Sequence, residues 1–311
     1  MKVTALAGGV GGAKLAVGLQ QVASQTARAH DLSVVVNTAD DTIAYGVHVS
    51  PDVDIVTYWL AGVADYERGW GLLGDTFVIV EALGRLGAEN WFGLGDRDFA
   101  TCAYRTARLA EGATFTTVAD EIRRALGVAP RVLPMSDDVV RTIVHTEDGR
   151  TLPFQEYFVK ERHEPAIRHI ELTGVADAKP APGVLDAIHE ADVVVLCPSN
   201  PFVSIGPILG LQGVRAALVD HPRVVAVSPI INGAALKGPA DRMLAAHGIP
   251  VSASGVASLY ADLCDEFVID ATDADQAAPV EALGVQPVIL DTVMSDNGAS
   301  KSLASAILDP R

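Results

Sequence analysis

The sequence has few cysteines, few aromatic residues and no long apolar run. Its three cysteines, Cys102, Cys197 and Cys264, lie far apart and form no Cys-x-x-Cys pair, so neither a disulfide framework nor a cysteine-based zinc site is expected. The eight histidines show no HExxH or HxxxH spacing. No apolar segment approaches the roughly 20 residues that span a bilayer. Glycines and Lys14 interrupt the apolar stretch near the N-terminus, so a signal peptide is disfavoured and we expect a cytoplasmic protein.

Basic residues are scarce as well. The chain has 23 lysines and arginines against 39 aspartates and glutamates, which gives a formal net charge of −16. A surface of that sign repels nucleic acid and acidic membranes, so we expect neither as a partner. It also repels phosphorylated small molecules unless backbone amides, a few cations or a metal ion offset the charge locally. Small-molecule substrates are the expected partners, and a homodimer is left open.

Strand–helix alternation occupies both ends of the chain. Hydrophobic residues make up 49% of the 311 residues and aromatic residues 5%, which is typical of a buried parallel sheet. A strand at Val3–Ala7, a helix at Ala13–Ala27 and a strand at Leu32–Asn37 open the chain. Later strands are predicted within 192–197, 223–229, 266–270 and 287–291, and helices at 214–219, 239–247, 257–263 and 299–308. The pattern predicts an α/β, Rossmann-like core of residues 1–50 and 166–311, with helices on both faces of a parallel sheet.

Residues 51–165 break this rhythm and are predicted to form an inserted region. Helices are predicted at 53–63, 76–86, 100–109 and 117–126, and Thr117 with Asp120 resembles a capping box for the last. Strands are predicted at "RVLPM", "VVRTIVHT" and "TLPFQEYFV". A hairpin turn at Asp148-Gly149 joins the last two.

A glycine-rich turn connects the first strand to the first helix. Its glycines are Gly8, Gly9, Gly11 and Gly12. Backbone N–H groups and the positive end of a helix meet at such a turn and favour phosphate, although a tight turn without a ligand is an alternative. The dinucleotide fingerprint fits poorly, because Lys14 replaces its third glycine and Asn37 replaces the acid that binds ribose. A nucleotide or diphosphate ligand is therefore favoured over a nicotinamide cofactor.

Two acids follow the second strand in "NTADD". Asp40 and Asp41 lie at the carboxyl end of a predicted parallel strand, beside the glycine turn. Carboxylates suit Mg²⁺, which also bridges to substrate phosphates, so the pair predicts a magnesium site; a solvated turn or a helix cap is the alternative. Asp52 and Asp54 in "SPDVD" fit a site or a helix start equally well.

Four further polar loops follow predicted strand ends. They are "WFGLGDRDFAT" (91–101), "LPMSDDVVRT" (133–142), "CPSNPFVSIGPIL" (197–209) and "VSPIINGAALKGPADRM" (227–243). Each is a weak signal alone. Together with the glycine turn they indicate one ligand crevice at the end of the sheet.

These motifs, in this order, resemble those of the 2-phospho-L-lactate transferases of deazaflavin coenzyme (coenzyme F-420) biosynthesis. "RGWGLLGDTF" and "FQEYFV" extend the resemblance, which runs from end to end. It implies magnesium-dependent transfer of 2-phospholactate or enolpyruvyl phosphate from a guanosine diphosphate-linked donor to the ribityl hydroxyl of the deazaflavin Fo, with release of GMP. "WFGLGDRD" is closer to actinobacterial members, whose donor carries enolpyruvate, and Gly93 stands where many archaeal members have lysine. A regulatory, non-catalytic nucleotide-sugar-binding protein of the same superfamily is the alternative, which "GDRD" and "RGWG" disfavour.

The resemblance also implies roles for individual residues. Asp41 is implied as the principal metal ligand beside Asp40, and Asp54 as the group that orients or deprotonates the Fo hydroxyl, so Asp41 and Asp54 are the predicted catalytic residues. The predicted Fo contacts are Asp54, Gly93, Asp96 and Arg97. The predicted donor contacts are Gly8, Gly9, Gly11, Gly12, Lys14, Asn37, Ser136, Asp137, Ser199, Asn200 and Ser228.

Overall fold

The computed structural model describes residues 1–25 and 32–309. The strands are β1 (Val3–Ala7), β2 (Leu32–Val36), β3 (Thr42–Ala44), β4 (Val47–Val49), β5 (Arg131–Pro134), β6 (Arg141–Thr146), β7 (Thr151–Pro153), β8 (Ile167–Thr173), β9 (Val193–Leu196), β10 (Val224–Val227), β11 (Ile230–Ile231), β12 (Ala234–Ala235), β13 (Glu266–Asp270) and β14 (Gln286–Leu290).

The α-helices alternate with these strands over much of the chain. They are α1 (Gly9–Gln25), α2 (Pro51–Leu60), α3 (Val78–Arg85), α4 (Asp96–Ala110), α5 (Phe115–Ala125), α6 (Val184–His189), α7 (Gly206–Gly210), α8 (Val214–Val219), α9 (Ala240–Ala246), α10 (Ala253–Ala257), α11 (Ala277–Glu281) and α12 (Asn297–Leu308). Two π-helical segments (Glu156–Lys160 and Pro201–Ile205) and a 3₁₀ segment (Ala271–Gln276) complete the description. The predicted end of the first helix, Ala27, lies outside the described residues.

Seven parallel strands form the central sheet, in the order β14–β13–β10–β9–β1–β2–β5. Alternate residues of each strand pack into two separate cores, because successive side chains of a strand point to opposite faces. Leu6 of β1 belongs to the core covered by α6–α11, whereas Ala5 and Ala7 belong to the core covered by α1, α2, α5 and α12. The predicted α/β, Rossmann-like architecture with helices on both faces is confirmed.

The strand order reverses between β1 and β9, which are neighbours in the sheet. The chain leaves β1 into α1, which covers one face, and leaves β9 into the segment Pro201–Gly210, which covers the other. In open parallel sheets such a divergence leaves a crevice at the carboxyl ends of the strands. The glycine turn and "PSNP" therefore face each other across one crevice.

The middle of the chain contains most of the unpredicted structure. β5 is the edge strand of the central sheet and pairs with β2, although it lies within the range predicted as an insertion. The division of the chain into a core (1–50 and 166–311) and an insertion (51–165) thus stays a prediction. The hairpin at Asp148-Gly149 forms as β6 and β7, and β8 adds to β6.

Three predicted elements differ from the structure. "FQEYFV" is π-helical rather than extended, because Phe154, Tyr157 and Phe158 have helical spacing and bury one face. The cap of α5 is Thr114, whose hydroxyl accepts from the Thr117 N–H, so the capping box at Thr117 is wrong. The helix predicted at 257–263 is instead the shorter α10, followed by turns.

Within the described residues, no helix has both the length and the apolar character needed to cross a membrane.

Candidate active site

A cavity of about 650 Å³ opens at the switch point between β1 and β9. The glycine turn, "NTADD", the start of α2, the loops 68–71 and 92–94, "PSNP" and the loops after β10 and β14 all contribute to its lining. These segments include most of the motifs that sequence analysis singled out. The sheet therefore brings distant polar loops together at one edge.

The glycine turn is held by side chains from two other segments. The Gly8 N–H donates to the Ser199 hydroxyl at 3.2 Å, and the Gly9 N–H donates to the Asp52 carboxylate at 2.8 Å. Gly9 has a positive φ of 61°, which favours glycine where the chain turns into α1. A Cβ on Gly11 would lie 2.3 Å from the Pro198 carbonyl oxygen, so that glycine permits close packing of the two loops. The remaining amides of the first turn of α1 have no acceptor within the helix and are suited to an anion.

Asn37 links two of the buried acids. Its amide donates to Asp52 at 2.9 Å and to Asp40 at 3.2 Å, and it is itself fully buried. Gln155, which follows β7, donates to the Asp40 backbone carbonyl at 3.1 Å. Asn37 therefore positions the two carboxylates and does not line the cavity.

Asp41 has both carboxylate oxygens engaged within the protein. It accepts from the Ser50 hydroxyl at 2.7 Å and lies 2.8 Å from Nε2 of His48. Asp40, by contrast, lines the cavity, and its Oδ1 is buried without a hydrogen bond of normal geometry among the described residues, although the nearby Thr142 hydroxyl opposes the rise that burial causes in the pKa of Asp40. The two neighbouring acids thus have different surroundings.

A second acidic group surrounds Asp54. Its Oδ1 forms a buried ion pair with Arg105 of α4, whose side chain is 1% exposed. Its Oδ2 has no hydrogen-bond partner in the described part of the chain. Next to this pair the Tyr58 hydroxyl donates to Asp98 at 2.8 Å. Asp54, Tyr58 and Asp98 all line the cavity.

Burial dominates the titration of these acids. It raises the pKa of Asp40 well above its ordinary value, and the negative charge of Asp52 adds to the effect. It raises the pKa of Asp52 to about 6, against the hydrogen bonds from Asn37 and Gly9. It raises the pKa of Asp98 to about 7, with the charge of Asp54 as the next cause. The pKa of Asp54 is raised by burial as well, although Arg105 opposes this.

The donor set fits a hard divalent cation. Asp40 and Asp54 each present a buried carboxylate oxygen that lacks a partner, and oxygen ligands are what Mg²⁺ prefers. Removing these acids from water is costly, which is why their pKa values rise, even for Asp54 with Arg105 beside it. The Cys102 thiol lies within 4.8 Å of the Asp54 and Asp98 carboxylates, but burial raises its pKa, so it stays a neutral thiol. Asp40 and Asp54 are accordingly the residues suited to hold a metal.

Aromatic and aliphatic side chains form the rest of the wall. Trp70, Phe92, Phe154 and Phe158 line the cavity, together with Gly93. A Cβ on Gly93 would lie 3.1 Å from the Trp70 ring, so glycine lets the indole lie against the backbone there. This lining is suited to a flat, largely apolar ligand.

Three cationic residues also line the cavity. Lys14 donates to the Met294 carbonyl at 2.7 Å, and Lys237 lies 3.4 Å from the Arg68 carbonyl. Among the ion pairs found in residues 1–25 and 32–309, neither lysine has a carboxylate partner, whereas Arg68 is paired with Asp65. Burial and the nearby charge of Lys237 lower the pKa of Lys14. Two unpaired lysines close together are suited to a polyanion.

Several other predicted donor contacts also lie at the cavity. Ser199, Asn200 and Ser228 line it, as do Gly8, Gly9 and Gly11. The Asn200 side chain caps the segment Pro201–Ile205 by accepting from the Phe202 N–H at 2.9 Å. Gly12 is not in the lining; it packs against Ser199 and Ala7.

Besides Gly12 and Asn37, four further predicted contact residues lie outside the lining and have partners elsewhere. Asp96 accepts from the N–H groups at the start of α3, and Arg97 pairs with Asp75. The Ser136 hydroxyl donates to the Lys179 carbonyl, and Asp137 accepts from Thr116 at the start of α5. The structure therefore gives these four side chains roles in joining elements, and direct ligand contact by them stays a prediction.

Some residues of the site carried little or no signal in the sequence. In the sequence Asp52 fits a helix start as well as a site, and Asp98 is distinguished only as part of "GDRD". Arg105 and Lys237 were not singled out, because a single arginine in a helix or a lysine in a glycine-rich loop is common on protein surfaces. Arg105 is recognised as part of the site only because its side chain is buried, and that burial is visible only in the folded structure.

Comparison with known proteins agrees with these observations. The sequence model described as "2-phospho-L-lactate transferase CofD" matches residues 3–306. The chain is 41% identical to the phosphoenolpyruvate transferase of Streptomyces griseus over 99% of this chain and 98% of that protein. It is 39% identical to the 2-phospho-L-lactate transferase of Methanosarcina mazei over 97% of both chains.

Solved structures agree on the fold. A UPF0052 family protein from Bacillus halodurans superposes with a TM-score of 0.65 over 99% of this chain and 98% of that chain, at 18% identity. That identity is low enough that the likeness concerns the fold alone. The family match and the two transferases, which cover almost the whole chain, decide the assignment: the chain belongs to the 2-phospho-L-lactate transferase CofD family.

Proposed function

We propose that this transferase moves a phospho-three-carbon-acid group, enolpyruvyl phosphate or 2-phospholactate, from a guanosine diphosphate-linked donor to the ribityl hydroxyl of Fo. GMP is released, and magnesium is required. The observation that carries this proposal is the composition of one cavity, which combines an aromatic wall, a helix N-terminus with unpaired lysines, and buried carboxylates. Each part suits one component of the reaction.

The aromatic wall is suited to the tricyclic ring of Fo. Trp70, Phe92, Phe154 and Phe158 offer apolar faces, and Gly93 leaves space beside them. Asp54 lies in the same lining and presents a free carboxylate oxygen. That oxygen would accept a hydrogen bond from the ribityl hydroxyl and orient it toward phosphorus.

The glycine turn and the lysines are suited to the diphosphate. The amides at the start of α1 and the charges of Lys14 and Lys237 favour phosphate oxygens. The Asp52 carboxylate weakens this attraction for phosphate, because it already accepts a hydrogen bond from the Gly9 N–H at that helix end. Ser199, Asn200 and Ser228 would contact the remainder of the donor.

The buried carboxylates of the cavity are suited to bind a cation. Asp40, the other acid with a carboxylate oxygen that lacks a partner, would hold Mg²⁺, which would neutralise charge on the transferred phosphoryl group and its leaving group. Phosphoryl transfer asks the protein mainly for positioning and charge stabilisation, so no covalent nucleophile is required. The protein's part is to align the Fo hydroxyl with phosphorus, to exclude water behind the aromatic wall and to hold the departing GMP phosphate at the lysines.

Purified protein with Fo, magnesium and each donor in turn tests the proposal. We expect stoichiometric GMP and phosphorylated deazaflavin with at least one donor, and no product without magnesium. Comparison of enolpyruvyl, lactyl and glyceryl donors then identifies the three-carbon acid. Tight donor or nucleotide-sugar binding without any product would contradict the proposal and favour the regulatory alternative.

A further inference from the structure

The outer face of the three-stranded sheet β7–β6–β8 carries a cluster of metal-ligating side chains away from the cavity lining. His145 of β6 lies directly opposite His169 of β8, and Ile143 lies opposite Glu171. Because side chains alternate along a strand, His145, His169 and Glu171 project from one face. One ligand atom from each of the three lies within 4.8 Å of the others.

The three ligand atoms are close enough for one metal ion to reach all of them after side-chain rotation. His145 Nε2 is 2.9 Å from a Glu171 carboxylate oxygen, and the two imidazole rings stack at 4.1 Å. Ligand atoms around a tetrahedral zinc ion lie roughly 3.3 Å apart, given metal–nitrogen bonds of about 2.0–2.1 Å. His169 and Glu171 are exposed, so their side chains are free to rotate, and a rotation that unstacks His169 from His145 would bring the three atoms to that spacing.

Neighbouring groups orient the cluster. The Thr151 hydroxyl of β7 lies 3.2 Å from Nδ1 of His145, which leaves Nε2 to face Glu171. Such a hydrogen bond to the far ring nitrogen is typical of histidines that bind metals. The register of β6 and β8 shifts between His145 and Thr146, and irregularities of this kind re-aim side chains.

We propose that His145, His169 and Glu171 form a binding site for a divalent transition-metal ion of the zinc class. Two imidazoles and one carboxylate are borderline ligands that favour zinc over magnesium, and water would complete the tetrahedron. The site is distinct from the carboxylates of the cavity and does not depend on the proposed function.

The opposite face of the same sheet shows what the ion would do. Val144 and Ile170, each one residue from a ligand, pack in the cluster that includes Phe154, Phe158 and Val203. Those three residues line the cavity. A metal bound across β6 and β8 would therefore stabilise the sheet that supports part of the aromatic wall.

Calorimetric titration of zinc chloride into tag-free, chelator-treated protein, in excess magnesium, tests the site. We expect one zinc ion per chain, and at least about tenfold weaker binding in His145→Gln and in His169→Gln. His189→Gln, which alters an exposed histidine at the end of α6, is the matched control and should bind like the parent. Zinc should also raise the Tm of the parent and of His189→Gln but not that of His145→Gln.

Two outcomes would overturn the site. The first is a parent protein that binds no zinc. The second is a His145→Gln variant that binds zinc as tightly as the parent; loss of binding in Cys102→Ser would then assign the zinc to the buried cluster of Asp54, Asp98 and Cys102.

Discussion

Asp40 and Asp41 are adjacent in the chain, but only Asp40 has a carboxylate oxygen free to accept a ligand. Ser50 and His48 engage both oxygens of Asp41. The resemblance to known transferases implied Asp41 as the principal metal ligand. From these contacts we propose that Asp40 coordinates the metal directly, while Asp41 accepts from Ser50 and pairs with His48.

The two acids are therefore expected to respond differently to substitution. Asp40→Asn should lower turnover by at least about 10²-fold, the scale of lost charge stabilisation, and should raise the magnesium concentration needed for half-maximal activity. Asp41→Asn should lower turnover too, but with an unchanged magnesium requirement. Magnesium titrations of steady-state activity measure both. The reverse pattern, a raised magnesium requirement in Asp41→Asn alone, would restore Asp41 as the ligand.

Asp54 is both a predicted catalytic residue and half of a buried ion pair. Asp54→Asn leaves the charge of Arg105 buried without its counter-ion, so the free energy of unfolding should fall by about 3 kcal/mol or more. Urea unfolding measures this loss. Asp262→Asn, which breaks an exposed ion pair with Arg215, is the control and should change stability little.

The catalytic role of Asp54 is then measured under conditions where the variant stays folded. If Asp54 orients the Fo hydroxyl, as we expect, Asp54→Asn weakens Fo binding and slows turnover modestly. If it removes the proton, single-turnover rates fall by about 10²–10⁴-fold. A loss above about a thousandfold, with an acidic limb in the pH profile of the parent that Asp54→Asn lacks, would establish a general base.

At the scale of elements, helices α3 and α4 cap each other. Asp75, just before α3, accepts from the Arg97 and Asp98 N–H groups at the start of α4. Asp96, at the start of α4, accepts from the Val78 and Ile79 N–H groups at the start of α3. This exchange explains the charged "GDRD" motif, since each carboxylate satisfies the free donors of the other helix.

Loss of one cap should therefore loosen both helices. Asp75→Ala should lower the free energy of unfolding by about 1–2 kcal/mol, as expected for a lost cap. Asp96→Ala should also lower stability, while the Kd for Fo, measured well below Tm, should change little. Asp186→Ala, an exposed acid in the first turn of α6, is the control. A large rise in the Kd for Fo in Asp96→Ala, with unchanged stability, would instead support the predicted contact with Fo.

Elements with strong periodicity were predictable and irregular ones were not. The uninterrupted apolar runs of β9 and β10 identify buried strands, and the structure places them in the central sheet. "TLPFQEYFV" mixes two periods, extended in β7 and helical from Phe154 onward, and the helical part was mistaken for strand. The spacing of apolar residues identifies a strand or a helix only where the same spacing continues through the whole element.

For the whole molecule, the crevice was predictable but its chemistry only partly so. Parallel strands bring the loops at their carboxyl ends together, which correctly placed the glycine turn beside "PSNP", 191 residues apart between Gly8 and Ser199. The pairing of Asp54 with Arg105 and the approach of Lys237 to Arg68 depend on how helices and loops pack across the sheet. No pattern within a single segment records such contacts.

The buried acids also make the stability of the molecule depend on pH and on magnesium. Burial raises the pKa of Asp52 from 3.8 to about 6 and that of Asp98 from 3.8 to about 7. Between pH 5 and 7 the folded protein therefore binds protons that the unfolded chain has released. Stability falls with rising pH wherever the folded state binds more protons, so these two acids lower the free energy of unfolding across that window, each by up to about 1.4 kcal/mol per pH unit.

Thermal unfolding in EDTA and in excess magnesium, from pH 5 to pH 8, measures this effect. In EDTA the parent should lose more stability with rising pH than Asp98→Asn, and comparison of the two cancels the contribution of the histidines, which is common to both. Magnesium is expected to bind the ionised carboxylate of Asp40, whose pKa burial raises, so it should raise Tm more at pH 8 than at pH 5. Identical pH profiles for parent and variant would show that Asp98 titrates normally. An equal effect of magnesium at both pH values would place the cation away from Asp40, because burial raises the pKa of Asp40 and a cation bound to it must compete with its proton.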